Sequence, residues 1–264
     1  MQVSAAMRGT SATAAPTRPN PLAIDGERAP RATAGAIAFA VALTVAVTLA
    51  LAFVLARVAG EPRIVVRTLA YSLLGGALVW LLAARYLEAS TLGAANRVTL
   101  ARGALALLLL ALLGSASNPV LAWSSVALAL IALAFDGVDG ALARKRGEES
   151  EFGARFDMET DALLIFVLCA LAWEQGKAGA WILLAGALRY LFVAAGFALP
   201  WLKRALPPSR RRQTACVLQI VSKIACLLPI VVSPASDAIA LVGLAPLLGS
   251  FATDVVWLAR DSRR

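Results

Sequence analysis

Four aspartates in the middle of the chain have a spacing that could support metal-dependent chemistry. Asp136 and Asp139 stand three positions apart and Asp157 and Asp161 four apart, so the members of each pair share a helix face. An apolar run precedes the first pair and another follows the second, which predicts that both pairs lie at the same, cytosolic end of two antiparallel membrane helices. Acidic side chains are costly in a membrane and four like charges repel, and bound divalent cations would remove both penalties.

Carboxylate oxygens are the ligands that Mg²⁺ and Mn²⁺ prefer, and two such ions could clamp a phosphate for in-line displacement. Gly140, Ala143 and Gly153 lie between the aspartates and would let a bulky ligand approach the backbone. The alternative is that the acids are interfacial residues neutralised by the basic residues around them, which are Arg144, Lys145, Arg146 and Arg155. That alternative suits any single aspartate but leaves the paired helical spacing unexplained.

The sequence offers few other side chains that could take part in catalysis. The chain contains no histidine, which excludes His-based acid–base catalysis, Ser-His-Asp triads and His-ligated metals. Three cysteines lie singly in apolar runs, without a Cys-x-x-Cys pair, so neither a zinc site nor a disulfide framework is predicted. Any chemistry must therefore use carboxylates, lysine or arginine, hydroxyls or a single thiol.

The composition indicates that membrane helices position these aspartates. Of 264 residues 60% are hydrophobic, and the mean hydropathy is +0.77, whereas a soluble domain is usually about half apolar. A helix needs about 20 mostly apolar residues to cross the hydrocarbon of a bilayer. We therefore predict an all-α, polytopic transmembrane helical bundle with spans near 35–56, 65–84, 98–115, 119–142, 157–173, 178–199, 213–232 and 236–258.

The charge distribution suggests an orientation. Residues 1–33 are rich in Ala, Thr, Pro and Arg and are predicted to form a disordered cytosolic tail. With this end in the cytosol, most Lys and Arg residues fall on cytosolic loops, as the positive-inside rule requires. The first hairpin is the exception, because Arg57, Arg63 and Arg67 would lie outside. The net charge of +9 is explained by topology and by attraction to anionic lipid, and nucleic-acid binding is not expected.

The aspartates and their small neighbours also resemble a known family signature. The pattern Asp-x2-Asp-Gly-x2-Ala-Arg-x8-Gly-x3-Asp-x3-Asp is that of the CDP-alcohol phosphatidyltransferases. The sequence matches it at every fixed position, namely Asp136, Asp139, Gly140, Ala143, Arg144, Gly153, Asp157 and Asp161. The resemblance is taken to cover residues 86–260, a core of six spans, which leaves residues 34–85 as an additional N-terminal transmembrane hairpin.

Members of this family transfer a phosphoalcohol group, usually phosphatidyl, from a CDP-linked donor to a hydroxyl acceptor and release CMP. The resemblance implies a lipid donor such as CDP-diacylglycerol and two divalent ions, Mg²⁺ or Mn²⁺. It assigns Asp136, Asp139, Asp157 and Asp161 to the metals, with Asp161 also acting as the catalytic base. The implied nucleotide site comprises Asp139, Gly140, Ala143, Arg144 and Gly153, together with Asn96, Thr99 and Arg102 from an Asn-x2-Thr-x2-Arg stretch.

The sequence does not assign the acceptor beyond a small or phosphorylated alcohol. Arg211, Arg212 and Thr214 lie where the family often carries a basic, Thr-containing segment, which could hold a phosphate of the acceptor or the donor headgroup. A positive-inside anchor explains these residues equally well. Arg189 lies within an apolar span, so it is expected to face the polar cavity or to pair with an aspartate.

The predicted function is metal-dependent phosphatidyl transfer in phospholipid biosynthesis. The enzyme is expected to be an integral membrane homodimer of the bacterial inner membrane, with an active site that faces the cytosol. The alternative is a membrane transporter or channel that uses the clustered aspartates as a cation site. Against it, the acids cluster at one membrane end rather than at the midplane, and no inverted repeat is evident. A non-catalytic scaffold would leave the clustered acids unexplained.

Overall fold

The protein is described by a computed structural model that covers residues 32–87, 92–115, 118–146, 150–204, 206–207 and 209–262, apart from the side chains of residues 32–34, 143, 144 and 203. Most of the predicted tail, residues 1–31, thus lies outside the described residues. Within the described ranges the fold is all-helical, as predicted. The α-helices are α1 (Ala32–Ala59), α2 (Arg63–Tyr86), α3 (Ala94–Ala111), α4 (Pro119–Arg146), α5 (Glu151–Glu174), α6 (Ile182–Ala198), α7 (Arg210–Leu227) and α8 (Ala235–Asp261).

Each helix corresponds to one predicted span, but the eight helices differ in apolar length. Helices α1, α2, α3, α4 and α8 are long and apolar enough to cross a membrane. Helix α6 is apolar but has only 17 residues. Helices α5 and α7 carry more charge, because they contribute the acidic and basic residues of the candidate site. Helix α3 begins at Ala94, four positions before the predicted span, so the whole Asn96–Arg102 stretch is helical.

The connections α1–α2, α3–α4, α5–α6 and α7–α8 meet at one end of the bundle, opposite the aspartates. Three hydrogen bonds tie these connections together: Asn118 Nδ2 to the Ala59 carbonyl (2.9 Å), the Gly114 amide to Glu174 Oε1 (2.8 Å) and Lys177 Nζ to the Leu228 carbonyl (3.1 Å). Arg67, one of the charges that the orientation left unexplained, donates to the carbonyl of Leu113. Its charge thus lies against the C-terminal end of α3, where a cation is favourable.

Helices α3 and α5 form the centre of the bundle. Helix α3 packs against α1, α2, α4 and α5, while α5 packs against α2, α3, α6 and α7. Fully buried alanine and leucine side chains, such as Ala106, Leu109, Leu164 and Leu168, fill the space between them. This packing brings the N-terminal halves of α3 and α5 and the C-terminal end of α4 together at one end of the bundle.

Helix α8 packs most closely on α7 where Gly243 faces Ser222. A Cβ atom at position 243 would lie only 2.5 Å from the Cβ of Ser222, well inside van der Waals contact. The absence of a side chain at Gly243 therefore allows the two helices to approach closely, which holds α7 in place beside α5.

Candidate active site

The four aspartates converge on one buried cation. Asp136 and Asp139 lie near the C-terminal end of α4, and Asp157 and Asp161 lie in the first half of α5. Arg102 Nη1 lies 2.5 Å from Asp136 Oδ1 and 3.0 Å from Asp139 Oδ2. Nη2 of the same guanidinium lies 3.0 Å from Asp161 Oδ1 and also pairs with Asp157. The helical spacing thus places both pairs at one depth, as predicted, and α3 supplies a charge between them.

Asp139 is the most constrained of the four carboxylates. Its Oδ2 accepts hydrogen bonds from Thr99 Oγ1 (2.9 Å) and from Arg102 (3.0 Å), and its Oδ1 accepts one from the Gly140 amide (2.8 Å). The side chain is 6% exposed. Because both oxygens are engaged by atoms of α3 and α4, the orientation of this carboxylate is defined by the fold.

The donor set fits a divalent cation. Asp136, Asp139 and Asp157 each offer an oxygen, and these three atoms lie within 4.8 Å of one another. Four carboxylates against one guanidinium leave an excess of negative charge, and hard carboxylate oxygens are the ligands of Mg²⁺ and Mn²⁺. Asp161 is outside this group of three, and its Oδ2 lies 3.7 Å from the Sγ of Cys216.

A cavity of about 550 Å³, which we call the aspartate cavity, opens beside these carboxylates. Its volume falls in the range of small-molecule sites. It is lined by the four aspartates and by most of the residues predicted for the nucleotide, namely Asn96, Thr99, Gly140 and Gly153. Arg102 lies beneath it with no exposed surface, rather than extending towards the membrane surface. Ala143 and Arg144 belong to α4, but their side chains lie outside the described residues.

Gly153 matters because its neighbours leave no room for a side chain. A Cβ atom at this position would lie 2.9 Å from Asn96 Oδ1 and 3.1 Å from Ser150 Oγ. Ser150 caps α5 by accepting a hydrogen bond from the Gly153 amide (3.0 Å), so the first turn of the helix is held against Asn96.

A second cavity of about 510 Å³, here named the arginine cavity, lies between α5, α6, α7 and α8. Arg189 and Arg212 line it, and Asp161 and Cys216 line both cavities. Arg189 thus lines this largely apolar cavity and is absent from the wall of the aspartate cavity, so its expected place in the polar cavity stays a prediction. Its ion pair is formed with Glu159 and not with an aspartate, because α6 packs against the face of α5 that carries Glu159.

The other two residues predicted for the acceptor, Arg211 and Thr214, do not line this cavity. Arg211 points to α8, where it lies 2.5 Å from Asp254 Oδ1 and donates to the Ser250 carbonyl at 2.6 Å. Arg212 Nη1 lies 3.6 Å from the same carboxylate oxygen. Thr214 is exposed and lines neither cavity. A role of Arg211 or Thr214 in acceptor binding stays a prediction.

Among the lining residues that sequence reasoning missed, three have side chains of chemical interest. Gln213 lines the aspartate cavity, Cys216 lines both, and Asp254 lines the arginine cavity. The only available signal was the spacing of Arg212 and Cys216, four residues apart on one helix face. That spacing does not indicate which neighbour the face of α7 meets.

The comparisons with known proteins agree with this geometry. A family model described as CDP-alcohol phosphatidyltransferase matches residues 92–251, more than half of the chain. The matched range contains all four aspartates, Arg102, Arg189 and Arg212, and it leaves α1, α2 and Asp254 outside. No curated protein and no solved structure matches the chain.

Proposed function

The chain belongs to the CDP-alcohol phosphatidyltransferase family, and on this basis we propose that it transfers a phosphatidyl group from a CDP-linked lipid such as CDP-diacylglycerol to an alcohol. The family provides the enzyme class, which is transfer of a phosphoalcohol group from a CDP-alcohol. One observation supports the finer proposal above all. Four carboxylates surround one guanidinium beside two cavities, and Asp161 lines both.

The aspartates would hold the divalent ions that this family requires. Asp136, Asp139 and Asp157 present oxygens close enough to share an ion, and Asp161 would complete a site for two. Bound Mg²⁺ or Mn²⁺ would supply positive charge to the phosphate oxygens of the donor during transfer. Asp139 is already oriented for this task by Thr99 and the Gly140 amide.

The aspartate cavity would take the cytidine diphosphate of the donor. Its wall includes Gly140 and Gly153, where the absence of side chains lets a diphosphate approach the backbone. Asn96 and Gln213 offer amide groups that could orient the nucleotide. The acyl chains of the donor would remain in the bilayer, because the helices around the site belong to an integral membrane protein.

The arginine cavity would take the acceptor alcohol. Because Asp161 lines both cavities, its carboxylate could accept the proton of a hydroxyl held in the arginine cavity. The hydroxyl oxygen would form a bond to the lipid-bearing phosphorus, the phosphoanhydride bond would break, and its bridging oxygen would leave with CMP. The acceptor would be a small or phosphorylated alcohol, and Arg189 and Arg212 would contact the phosphate of a phosphorylated one.

The remaining parts of the proposal concern the protein as a whole. We propose a homodimer of the bacterial inner membrane with its aspartate end towards the cytosol, a six-span core at 86–260 and an added hairpin at 34–85. The transporter alternative is less well supported, because the family match indicates an enzyme.

The test measures CMP release by the purified protein with CDP-diacylglycerol, Mg²⁺ or Mn²⁺ and a panel of free and phosphorylated alcohols. Asp157→Asn and Asp161→Asn should each lower the rate by about 10²-fold or more, because they remove a metal ligand and the base. Asp237→Asn is the matched control, since Asp237 is partly exposed at the opposite end and its one side-chain hydrogen bond among the described residues is with Ser233. CMP release that survives both site substitutions would refute the proposed site.

A further inference from the structure

Arg102 has an unusual set of partners for a fully buried arginine. Its side chain has no exposed surface, and its two terminal nitrogens contact one oxygen from each of the four aspartates. Its remaining nitrogen, Nε, is buried without a hydrogen-bond partner among the described residues. Within the described part of the chain, its one other hydrogen bond runs from Nη2 to the Asp157 carbonyl (3.4 Å). The guanidinium is therefore held almost entirely by the four carboxylates.

Three of the carboxylates that Arg102 contacts also lie close enough together to share a metal ion. Asp136, Asp139 and Asp157 each bring one oxygen within 4.8 Å of the other two, and Arg102 contacts all three residues. A small divalent ion coordinates carboxylate oxygens at about 2.0–2.2 Å. An ion bound between these carboxylates would lie within a few ångströms of the guanidinium, where the two positive charges repel.

We propose that Arg102 is an internal counter-cation that holds the four carboxylates together and competes with divalent metal ions for them. The inference rests on the proposed metal-dependent function. The positive charge of Arg102 offsets part of the repulsion among four carboxylates, so the bundle keeps its aspartate end together without metal. The same charge weakens metal binding, because a divalent ion would share with the guanidinium carboxylates that the guanidinium already contacts, and the two positive charges repel.

The opposite role would be positioning of the carboxylates for the metal. An arginine that only oriented the ligands would strengthen metal binding, and its removal would weaken it. A residue that rigidly positions the carboxylates would itself be held in place by other groups. Arg102 has no hydrogen-bond partner at Nε among the described residues and few hydrogen bonds outside the four carboxylates, which favours competition. The two roles thus predict opposite signs for the change in metal affinity.

The experiment measures Mn²⁺ binding to the purified full chain by electron paramagnetic resonance, and thermal unfolding in EDTA and in saturating Mn²⁺. The variants are Arg102→Met, which removes the charge, and Arg102→Lys, which keeps it. Arg155→Met is the matched control, because Arg155 forms an exposed ion pair with Glu151, lies over the Tyr86 ring and lines neither cavity.

Arg102→Met should bind Mn²⁺ at least about tenfold more tightly than the unsubstituted protein, because the repulsion by a unit charge nearby is lost. In EDTA this variant should unfold at a lower temperature than the unsubstituted protein. In saturating Mn²⁺ the difference between their unfolding temperatures should be much smaller. The Mn²⁺ affinity of Arg102→Lys should be closer to that of the unsubstituted protein, and the Mn²⁺ affinity of Arg155→Met should be unchanged. If Arg102→Met fails to fold in EDTA but folds with Mn²⁺, the counter-cation role is supported, and the competition is judged from the Mn²⁺ affinity of the folded variant.

Weaker or unchanged Mn²⁺ binding by Arg102→Met would overturn the inference, as would unchanged stability in EDTA. These outcomes leave the proposed function intact as long as the unsubstituted protein binds Mn²⁺. If neither that protein nor any of the variants binds Mn²⁺ at millimolar concentration, both the proposed metal-dependent function and the inference fail.

Discussion

Substitution of Gly153 by alanine is expected to damage the donor site while leaving the fold intact. The new Cβ would lie 2.9 Å from Asn96 Oδ1 and 3.1 Å from Ser150 Oγ, both closer than an ordinary contact. Asn96 is buried at the edge of the aspartate cavity, so it must move to relieve the overlap. The movement of Asn96 changes the shape of the aspartate cavity, in which we place the nucleotide of the donor.

The size of the effect follows from the overlap. Relief of the contact requires shifts of about 0.5–1 Å, and misplacement by about 1 Å in an active site can lower a rate by about 10²-fold. We therefore expect kcat/KM for the CDP-linked donor to fall by about 10- to 100-fold, equivalent to about 1.4–2.7 kcal/mol. Alanine is the better helix former by about 1 kcal/mol, which offsets the strain, so the free energy of unfolding should change by less than about 1 kcal/mol.

The assay combines CMP release at limiting CDP-diacylglycerol with calorimetric binding of CMP in the presence of Mg²⁺. Gly137→Ala is the matched control, because Gly137 lines the same cavity but a Cβ there would meet no atom within 4 Å. This control should keep its activity and gain up to about 1 kcal/mol of stability. The explanation would be refuted by a Gly153→Ala enzyme with unchanged kcat/KM, or by equal losses in the two variants.

Two further predictions concern packing and access. Gly243→Ala should lower the free energy of unfolding by about 1–3 kcal/mol, because its Cβ would overlap Ser222, whereas Gly249→Ala, which meets no atom within 4 Å, should not. Equal unfolding transitions for the two variants would contradict the proposed close packing of α7 and α8. A maleimide should inactivate the enzyme through Cys216, which lines both cavities, while the two other cysteines have no exposed surface. A Cys216→Ala variant should keep its own activity in the reagent, and inactivation at the unsubstituted rate would show that a different group is modified.

The arrangement of the acids could be predicted because it depends on local geometry. Helical periodicity places Asp136 beside Asp139 and Asp157 beside Asp161, and the short connection between α4 and α5 keeps both pairs at the same end of the bundle. The all-helical membrane class follows in the same way, since the length and hydropathy of a segment are properties of the sequence alone. The family signature lies in this same local segment.

The partners of the arginines could not be predicted in this way. Arg102 belongs to the helix before the aspartates, and nothing in its own segment indicates that it lies under all four of them. Arg189 was expected to face the polar cavity or to pair with an aspartate, and it pairs with Glu159, because the rotation of α6 against α5 selects the partner. The place of Cys216 between the two cavities likewise depends on which face of α7 meets α5.

The sequence by itself determined which residues carry charge, which segments are apolar and which residues share a helix face. Only the tertiary structure decided which helix faces meet, and hence that a guanidinium lies among the carboxylates and that Asp161 is shared by two cavities. The physical reason is that the rotation and spacing of packed helices depend on close contacts between distant residues, such as Gly243 against Ser222. Those contacts are properties of pairs of helices and are absent from either helix alone.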